Sequence, residues 1–413
     1  MLAIPLQFNN ERPPINFTEE HYSIPIRDHE LASRFPQPDS HPTIHPGPEL
    51  FRDLAVHAET PKSLKGFFWK NVSCVTLHVV TFDDATLVSL VWPQFMCDAI
   101  GLSLILKSWV TVLSGRDQDV PKFKGYFLDP LQNLGRYPQP TKSLLDRPLT
   151  GLAGLKAKSK RRIKEFFSRA PKMESRIFCL PPEFVQSLYG TTASAFPTEF
   201  HLSEDDLITA WVSQILCKRM RTSSRPMAIC KLFDARPLLP ATFKKDGVYV
   251  QNASFPYVLK MSSSDITLST TADLAQRIRR SYIQQARRDQ VPLLAELILR
   301  DGLHTKVPFI SKLNAHPLFF MNCNQADLWS TVDLTDAILP SGELKGEKKS
   351  TGPDMRARPV YMHTDLIGPN DLSQNEMFSF YGKDPKGNFW ISASLRTDSM
   401  ECFEREFRKI ATK

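Results

Sequence analysis

Long apolar stretches are absent from the sequence. No run in its 413 residues approaches the roughly 18 apolar residues that a membrane helix requires. The first residues, MLAIPLQFNNERPP, lack a basic segment followed by an apolar core, so they predict neither a secretory signal nor an Arg-rich transit peptide. We expect a cytoplasmic protein without a membrane partner.

Paired cysteines are absent as well. The seven cysteines are scattered along the chain without any Cys-x-x-Cys pair, which fits neither a disulfide framework nor a zinc cluster. We expect reduced, mostly buried thiols and no bound metal.

Several common catalytic motifs are also missing. The sequence contains no GxSxG elbow, no GxxxxGK[ST] loop, no GxGxxG after a strand and no HExxH. The sequence therefore lacks the main motif expected of a serine hydrolase, a P-loop NTPase, a dinucleotide enzyme or a zincin. We expect no bound cofactor.

Composition and charge are typical of a globular protein. Hydrophobic residues make up 42% of the chain and charged residues 23%, and the length is sufficient for two or three domains. Part of the net charge of +8 lies in KAKSKRRIKEFFSR, residues 156–169. We interpret this stretch as a solvated connector. No nucleic-acid partner is expected, because no helix-turn-helix, zinc module or aromatic RNA-binding signature accompanies it.

Strand-like and helix-like segments alternate in both halves of the chain, which predicts an α/β protein with two lobes of similar size. Residues 1–155 are predicted to form the N-terminal lobe, and the prolines within 1–62 indicate an irregular arm. The basic connector is placed at 156–175. Residues 176–413 are predicted to form the C-terminal lobe, with a mobile loop at 341–358.

The segment SLVWPQFMCDAIGLSLILKSW, residues 89–109, is predicted to join a strand to an amphipathic helix. Backbone donors point outward where a strand ends beside a helix N-terminus, so such a turn is well placed for a site. Gln94 and Asp98 lie in this turn. The spacing alone leaves two interpretations open, a functional site or a buried turn in which Asp98 caps the helix.

The same segment resembles a known family. Asp98, Ala99, Gly101 and Trp109 match the HxxxD region of BAHD-type acyl-CoA-dependent acyltransferases, especially the fungal branch near the trichothecene 3-O-acetyltransferases. Similar segments follow in the family's order, and the resemblance runs from about residue 65 to the C-terminus: LSEDDLITAWV (202–212), FDARPLLP (233–240), GVYVQN (247–252), NCNQADLWSTVDLTDA (322–337) and GNFWISASLRTDSMECFEREF (387–407).

The resemblance implies a fold and a reaction. The fold is the two-lobed chloramphenicol-acetyltransferase-like one, with a channel between the lobes that acyl-CoA enters as a cosubstrate. In the family a His acts as general base on the acceptor. The resemblance further implies structural roles at the site for Asp98, which pairs with Arg236, for Gly101, and for Asp333, the first residue of the DFGWG-like stretch.

The chain departs from the family at the position of the base. Gln94 occupies the place of the motif His, and a carboxamide neither gains nor loses a proton near neutral pH. Loss of such a group typically costs about 10²–10⁴ in rate. In addition, the DFGWG stretch reads DLTDA at 333–337, Gln251 replaces the Gly of YxGN, and the part before the motif is shorter than usual in the family.

Another residue could replace the missing base. His363, in VYMHTDL, belongs to a region that lines the family's channel, and we name it with Gln94 as a candidate catalytic residue. His78 lies on the strand before the motif and is interpreted as a core residue. Cys97 has no flanking His and is interpreted as a buried, inert thiol.

Three functional hypotheses follow. The first is an O-acyltransferase that moves an acetyl group from acetyl-CoA to a hydroxyl of a secondary metabolite, with the chemistry retained through substrate activation or a substitute base. The second is a repurposed pocket, in which the amide of Gln94 stabilises a developing oxyanion and promotes CoA-independent cyclisation or isomerisation of a natural-product intermediate. The third is a non-catalytic pseudoenzyme. In each case we expect a monomer.

Overall fold

The computed structural model describes residues 7–68, 72–127, 129–134, 172–190, 202–219, 226–301, 315–337, 357–367 and 375–411. The strands in these ranges are β1 Asn16–His21, β2 Thr43–Pro46, β3 Thr76–Thr81, β4 Thr86–Val91, β5 Phe123–Lys124, β6 Met173–Leu180, β7 Met227–Asp234, β8 Val248–Tyr249, β9 Ser254–Met261, β10 His316–Asn322, β11 Glu376–Lys383 and β12 Phe389–Arg396. The α-helices are α1 Arg52–Ala55, α2 Leu64–Phe68, α3 Ala99–Leu113, α4 Pro182–Ser187, α5 Glu204–Arg219, α6 Ser263–Leu268, α7 Thr271–Gln285, α8 Val291–Asp301, α9 Leu328–Thr331 and α10 Thr397–Ala411.

A three-stranded sheet forms in the N-terminal part, in the order β1-β3-β4. β3 and β4 form an antiparallel hairpin that turns at Asp83 and Asp84. β1 pairs with β3 in parallel. Buried and partly buried residues alternate along β3. Since successive side chains of a strand point to opposite faces, one face of β3 is buried and the other is partly exposed. β4 then delivers the chain to the loop that carries Gln94 and Asp98.

A seven-stranded mixed sheet forms in the C-terminal part, in the order β2-β6-β12-β11-β10-β7-β9. β10 runs parallel to β7 and β11, and the other neighbours are antiparallel. Aromatic rings fill the space between this sheet and its helices. The rings of Phe178 and Phe403 lie 5.0 Å apart, and those of Trp211 and Phe403 lie 5.8 Å apart. This sheet and its helices hold the largest apolar core.

Two helices of this part begin at capping boxes. Ser203 Oγ accepts a hydrogen bond from the backbone N–H of Asp206 at 3.2 Å and donates to its carboxylate at 2.8 Å, which starts α5. Thr270 and Asp273 make the same pair of bonds at the start of α7. The sequence itself contains both capping-box patterns, at 203–206 and at 270–273.

A buried ion pair ties β7 to α5. Lys231 is 2% exposed, and its Nζ lies 2.6 Å from Asp205 Oδ2 and 2.9 Å from Thr209 Oγ1. A buried charge is tolerated only where it is paired and hydrogen-bonded. The apolar residues of β7 in the sequence give no indication of this pair.

The N-terminal 62 residues are more regular than their prolines suggested. β1 belongs to the three-stranded sheet, and β2 pairs with β6 at the edge of the seven-stranded sheet. Both are edge strands, which need backbone donors on one side only and therefore tolerate nearby prolines. Because β2 completes the sheet of the C-terminal part, the boundary at residue 155 does not separate the two sheets.

Two predicted segments fall largely outside the described residues. Residues 156–171 of the predicted connector at 156–175 lie outside the described residues. β6 already begins at Met173, so the C-terminal sheet starts before residue 176. Residues 341–356 of the predicted mobile loop at 341–358 also lie outside the described residues.

Helix α3 connects the two parts. It contacts α9 and the short 3-10 helix at 324–326. Leu102 and Leu106 of α3 form one buried cluster with Cys323 and Leu328. The helix that follows the motif loop is therefore held against the C-terminal part. None of the helices within the described ranges combines the length and the apolar character needed to cross a bilayer.

Candidate active site

The loop between β4 and α3 presents Gln94 at the surface. Residues 93–96 make a turn in which the backbone N–H of Met96 donates to Pro93 O at 2.9 Å. Gln94 is exposed, whereas Cys97 is 3% exposed. Asn252 Nδ2 donates to the main-chain oxygen of Gln94 at 3.1 Å. The loop is therefore fixed by its backbone, and the carboxamide of Gln94 forms no hydrogen bond to the described residues.

Asp98 caps α3 and binds Arg236 at the same time. Its Oδ1 accepts the backbone N–H of Gly101 at 2.9 Å, which is the N-cap bond of the helix. The guanidinium of Arg236 donates to both carboxylate oxygens, at 3.0 Å and 3.2 Å. The capping role that one of the two interpretations gave to Asp98 is present, and the functional site at this turn stays a prediction.

Two further donors from the C-terminal part reach the same carboxylate. The backbone N–H of Ala253 and the hydroxyl of Ser254 lie 2.9 Å and 3.0 Å from Asp98 Oδ2. Burial by itself raises the pKa of the Asp98 carboxyl, but these bonds and the Arg236 guanidinium outweigh burial and hold the pKa below its ordinary value. Asp98 is therefore ionised at neutral pH.

Arg236 extends this network to the segment after β7. Its guanidinium donates to Asp234 Oδ1 at 2.8 Å, to Tyr249 O at 3.0 Å and to Gln251 O at 2.6 Å. The side chains of Asp98 and Arg236 are each 11% exposed. A planar guanidinium satisfies these acceptors in one fixed geometry, which a Lys could not do. The pair expected from the resemblance is present, and it joins the motif loop to residues 249–254.

Gly101 allows the closest backbone approach in this network. A Cβ at this position would overlap the carbonyl oxygen of Val250 and would lie 2.9 Å from the Cβ of Cys97. Only a residue without a side chain fits between helix α3 and the 249–252 segment. The Gly of the motif is therefore required for packing.

Gln251, which replaces the Gly of YxGN, has taken a structural contact. Its Nε2 donates to Lys124 O at 3.1 Å, and its side chain lies against Gly125, whose φ is +83°. A side chain on Gly125 would clash with this amide and would be strained at that φ. The replacement therefore contacts the end of β5, and no hydrogen bond joins its side chain to Gln94 within the described residues.

Cys97 does not offer a nucleophile. Burial raises the pKa of its thiol to about 12, with the Asp98 carboxylate adding to the effect. A thiol is reactive as the thiolate, which is scarce at neutral pH under these conditions. The structure agrees with the inert thiol expected from the sequence. All seven cysteines are free, and six of them are buried.

His363 lies in an aromatic cluster away from this network. Its ring centroid lies 5.9 Å from that of Phe51 and 5.5 Å from that of Tyr361. Burial lowers the pKa of the imidazole to about 4, although Asp365 opposes the shift. The ring is thus neutral at pH 7 but holds a proton weakly, which makes it a poor general base. Within the described ranges no hydrogen bond or ring contact joins His363 to Gln94.

Asp333 also lies apart from the loop. Its carboxylate accepts bonds from the backbone and hydroxyl of Thr335, and the guanidinium of Arg358 donates to it at 3.1 Å and 3.2 Å. The hydroxyl and backbone of Thr335, with Arg358, hold the pKa of this carboxyl below its ordinary value. These bonds fix the chain around the DLTDA stretch.

Asn252 was not among the predicted site residues, and His78 was predicted to be a core residue. Asn252 was noted only as part of GVYVQN, yet its amide holds the backbone of Gln94. His78 is buried as expected, and its Nδ1 lies 2.9 Å from Thr18 Oγ1. Its Nε2, however, is buried and has no hydrogen-bond partner in the described part of the chain. No group of three or more His, Cys, Asp or Glu residues in these ranges is arranged to hold a metal.

Comparison with known proteins finds relatives that are named as fungal acetyltransferases. No protein-family profile matches it. O-acetyltransferase PaAT-2 of Phomopsis amygdali is 26% identical over 98% of this chain and 85% of its own length. Acetyltransferase pyiB of Pyricularia grisea is 28% identical over 99% of this chain and 81% of its own length. At 26% identity, a relative from Penicillium decumbens carries the name transcriptional regulator calD.

Solved structures agree on the fold. TRI101 of F. graminearum, complexed with coenzyme A and T-2 mycotoxin, superposes with a TM-score of 0.57 and 14% identity, over 96% of this chain and 81% of that one. At this identity the similarity concerns the fold alone. The chain has the two-lobed, chloramphenicol-acetyltransferase-like α/β fold predicted from its motifs, and the resemblance to BAHD-type acyltransferases near the trichothecene 3-O-acetyltransferases is confirmed.

Proposed function

We propose that the protein transfers an acyl group, expected to be acetyl, from acyl-CoA to a hydroxyl of a small secondary metabolite. The bidentate pair of Asp98 and Arg236 carries this proposal, because it fixes the loop that holds position 94. Relatives named as acetyltransferases and a structural neighbour bound to coenzyme A and a toxin support it. Seven free cysteines are consistent with the reducing cytosol.

The reaction must proceed without a base at position 94. The acceptor oxygen attacks the thioester carbonyl carbon, a C–O bond forms, and the C–S bond breaks. Gln94 Oε1 accepts a hydrogen bond from the acceptor hydroxyl and orients it, or Nε2–H donates to the carbonyl oxygen as it becomes negative. The amide does not take the proton, so the proton passes from the acceptor oxygen to the departing thiolate directly or through water. We expect turnover about 10²–10⁴ slower than with a general base.

A second candidate is a pocket that does not use CoA. The exposed amide of Gln94 could stabilise an oxyanion during cyclisation or isomerisation, or the protein could bind a ligand without catalysis. Two observations favour this candidate: a carboxamide is not a general base, and one relative carries the name of a transcriptional regulator. The two candidates differ in whether the protein binds acyl-CoA at all.

Calorimetry with acetyl-CoA, followed by release of the CoA thiol in the presence of hydroxylated fungal metabolites, tests the proposal. We expect binding and acceptor-dependent thiol release, and Gln94→Ala should reduce the release. Gln186→Ala, which removes an exposed glutamine on α4, is the matched control and should leave the rate unchanged. Absence of heat up to about 1 mM acetyl-CoA, the upper end of ordinary KM values, would contradict acyl transfer and favour the second candidate.

A further inference from the structure

A groove of about 500 Å³ lies at the edge of the seven-stranded sheet that β2 forms. Its walls come from three parts of the chain: residues 44–47, 49 and 50 with Arg34, then Arg176 of β6, and finally Glu404 with Arg408 of α10. Pockets for small organic ligands commonly have about 300–1,000 Å³. The groove is therefore large enough for such a ligand.

Positive charge is in excess in this groove. Its lining holds three guanidinium groups, those of Arg34, Arg176 and Arg408, and two carboxylates, those of Glu49 and Glu404. Arg34 is exposed and forms no ion pair within the described residues. A cation without a neutralising partner in a groove favours an anionic ligand.

The rest of the lining is largely apolar or uncharged. Ile44, Pro46 and Leu50 are partly buried and line the groove. Burial lowers the pKa of the His45 imidazole, so this ring is neutral at pH 7. Apolar walls with a few placed charges are typical of a site for an organic molecule rather than for a bare ion.

Glu404 holds two of the cations in place. Its carboxylate lies 2.8 Å from Arg176 Nε and 3.3 Å from Arg408 Nη2. Arg176 also donates to Ser175 O at 2.8 Å, and its side chain is only 33% exposed. A guanidinium carries five N–H donors, so one carboxylate does not saturate it. The two groups are therefore positioned in advance to bind a second carboxylate.

The groove is separate from the candidate active site. Arg236, which binds Asp98, follows β7, whereas Arg176 of the groove lies on β6. Three strands, β12, β11 and β10, lie between β6 and β7. At about 4.8 Å for each step across the sheet, β6 and β7 are about 19 Å apart. A ligand in the groove therefore leaves the place of the reacting groups open.

We propose that this groove is a second ligand site, which binds a carboxylic acid with an apolar body. The guanidinium groups of Arg34 and Arg408 contact the carboxylate, and Ile44 with Leu50 contacts the apolar body. The inference does not depend on acyl transfer, since it assigns the groove no part in that reaction.

Calorimetry with the full chain and 1-naphthylacetate, an aromatic acid, tests the proposal. We expect a Kd of about 1 mM or lower, which is ordinary for a ligand of this size. In Arg34→Met/Arg408→Met the Kd should rise about tenfold, because two charge contacts to the carboxylate are lost. The neutral 1-naphthylacetamide, and acetate, which lacks the apolar body, should each bind at least about tenfold more weakly than the acid.

Arg12→Met/Arg116→Met removes the same charge from two exposed arginines outside the groove and is the matched control, which should bind the acid like the wild type. An equal loss of affinity in this control would overturn the proposal, because net charge would then explain the effect. Unchanged binding in the groove variant would overturn it too, since the acid would then lie elsewhere in the protein. Equal binding of the amide or of acetate would contradict the proposed contacts. Absence of heat from the wild type at about 10 mM acid would refute the site, while leaving the proposed function intact.

Discussion

Substitution of Arg236 tests the network that fixes the motif loop. Arg236→Ala removes both bonds to Asp98 and the bonds to Asp234, Tyr249 O and Gln251 O. The Asp98 carboxylate is left 11% exposed without its cation. Removing one partner of a buried ion pair typically costs about 3–5 kcal/mol.

The expected value lies at the lower end of this range. Asp98 keeps the N–H groups of Gly101 and Ala253 and the hydroxyl of Ser254 in the variant. Three remaining donors compensate part of the charge. We therefore expect a loss of about 3 kcal/mol in the free energy of unfolding.

The loss should depend on pH in a definite direction. In the wild type the folded-state pKa of Asp98 is depressed, so its contribution to stability is present above the ordinary carboxyl pKa and disappears as the pH falls through the folded-state pKa. In the variant, burial still raises the pKa of the Asp98 carboxyl, and no guanidinium is present to lower it. The difference in stability between wild type and variant should therefore shrink at acid pH.

Urea unfolding at pH 7 and at about pH 3, below the ordinary carboxyl pKa of about 3.9, with hydrogen exchange of residues 94–101 and 249–254, measures both effects. Exchange should speed up in these two segments first. Arg287→Ala is the matched control, because Arg287 is 60% exposed and pairs with Asp289 on the surface, where a pair contributes at most about 1 kcal/mol. A loss below about 1 kcal/mol for Arg236→Ala, equal to the control, would refute the reasoning.

Three further substitutions probe separate features. Gly101→Ala should destabilise the protein by about 2 kcal/mol in urea unfolding, although Ala favours helices, because its Cβ would meet Val250 O; a gain in stability would contradict this. Lys231→Met should lower the free energy of unfolding by about 3–5 kcal/mol, because it leaves the Asp205 carboxylate buried without its cation. The double variant Lys231→Met/Asp205→Leu should lose much less, since it removes both charges. Equal losses in the two variants would argue against the ion pair. The folded-state pKa of His363 is about 4, below the ordinary 6.5, so acid protonates this ring in the unfolded chain before it does so in the folded protein. The wild type should therefore lose about 2 kcal/mol of its free energy of unfolding between pH 7 and pH 5, and His363→Gln should abolish this loss. Identical pH profiles of stability in the two proteins would refute the reasoning.

Much of the fold could be predicted from local pattern. The capping boxes at Ser203 and Thr270 and the hairpin at Asp83 are short-range signals, and the structure contains each of them. The edge strands in residues 1–62 could not be predicted this way. Their pairing with β3 and β6 is long-range, and prolines mask the pattern of short strands.

The site was predictable to a similar extent. The residues that lock the loop, Asp98, Gly101 and Arg236, came from motif resemblance, since the partners are 138 positions apart in the sequence. The role of Asn252 at the main-chain oxygen of Gln94 was not predictable, because it depends on how the 249–254 segment turns. The lowered pKa of His363 likewise follows from burial, to which Phe51, a residue distant in sequence, contributes.

The rate of acetyl transfer as a function of pH, in the wild type and in Gln94→His, tests most directly whether position 94 faces the reacting groups. We predict that the substitution raises kcat/KM by about tenfold or more and adds a rise in rate near pH 6.5, where an ordinary imidazole loses its proton. An unchanged or lower rate, with no new dependence on pH, would contradict the account.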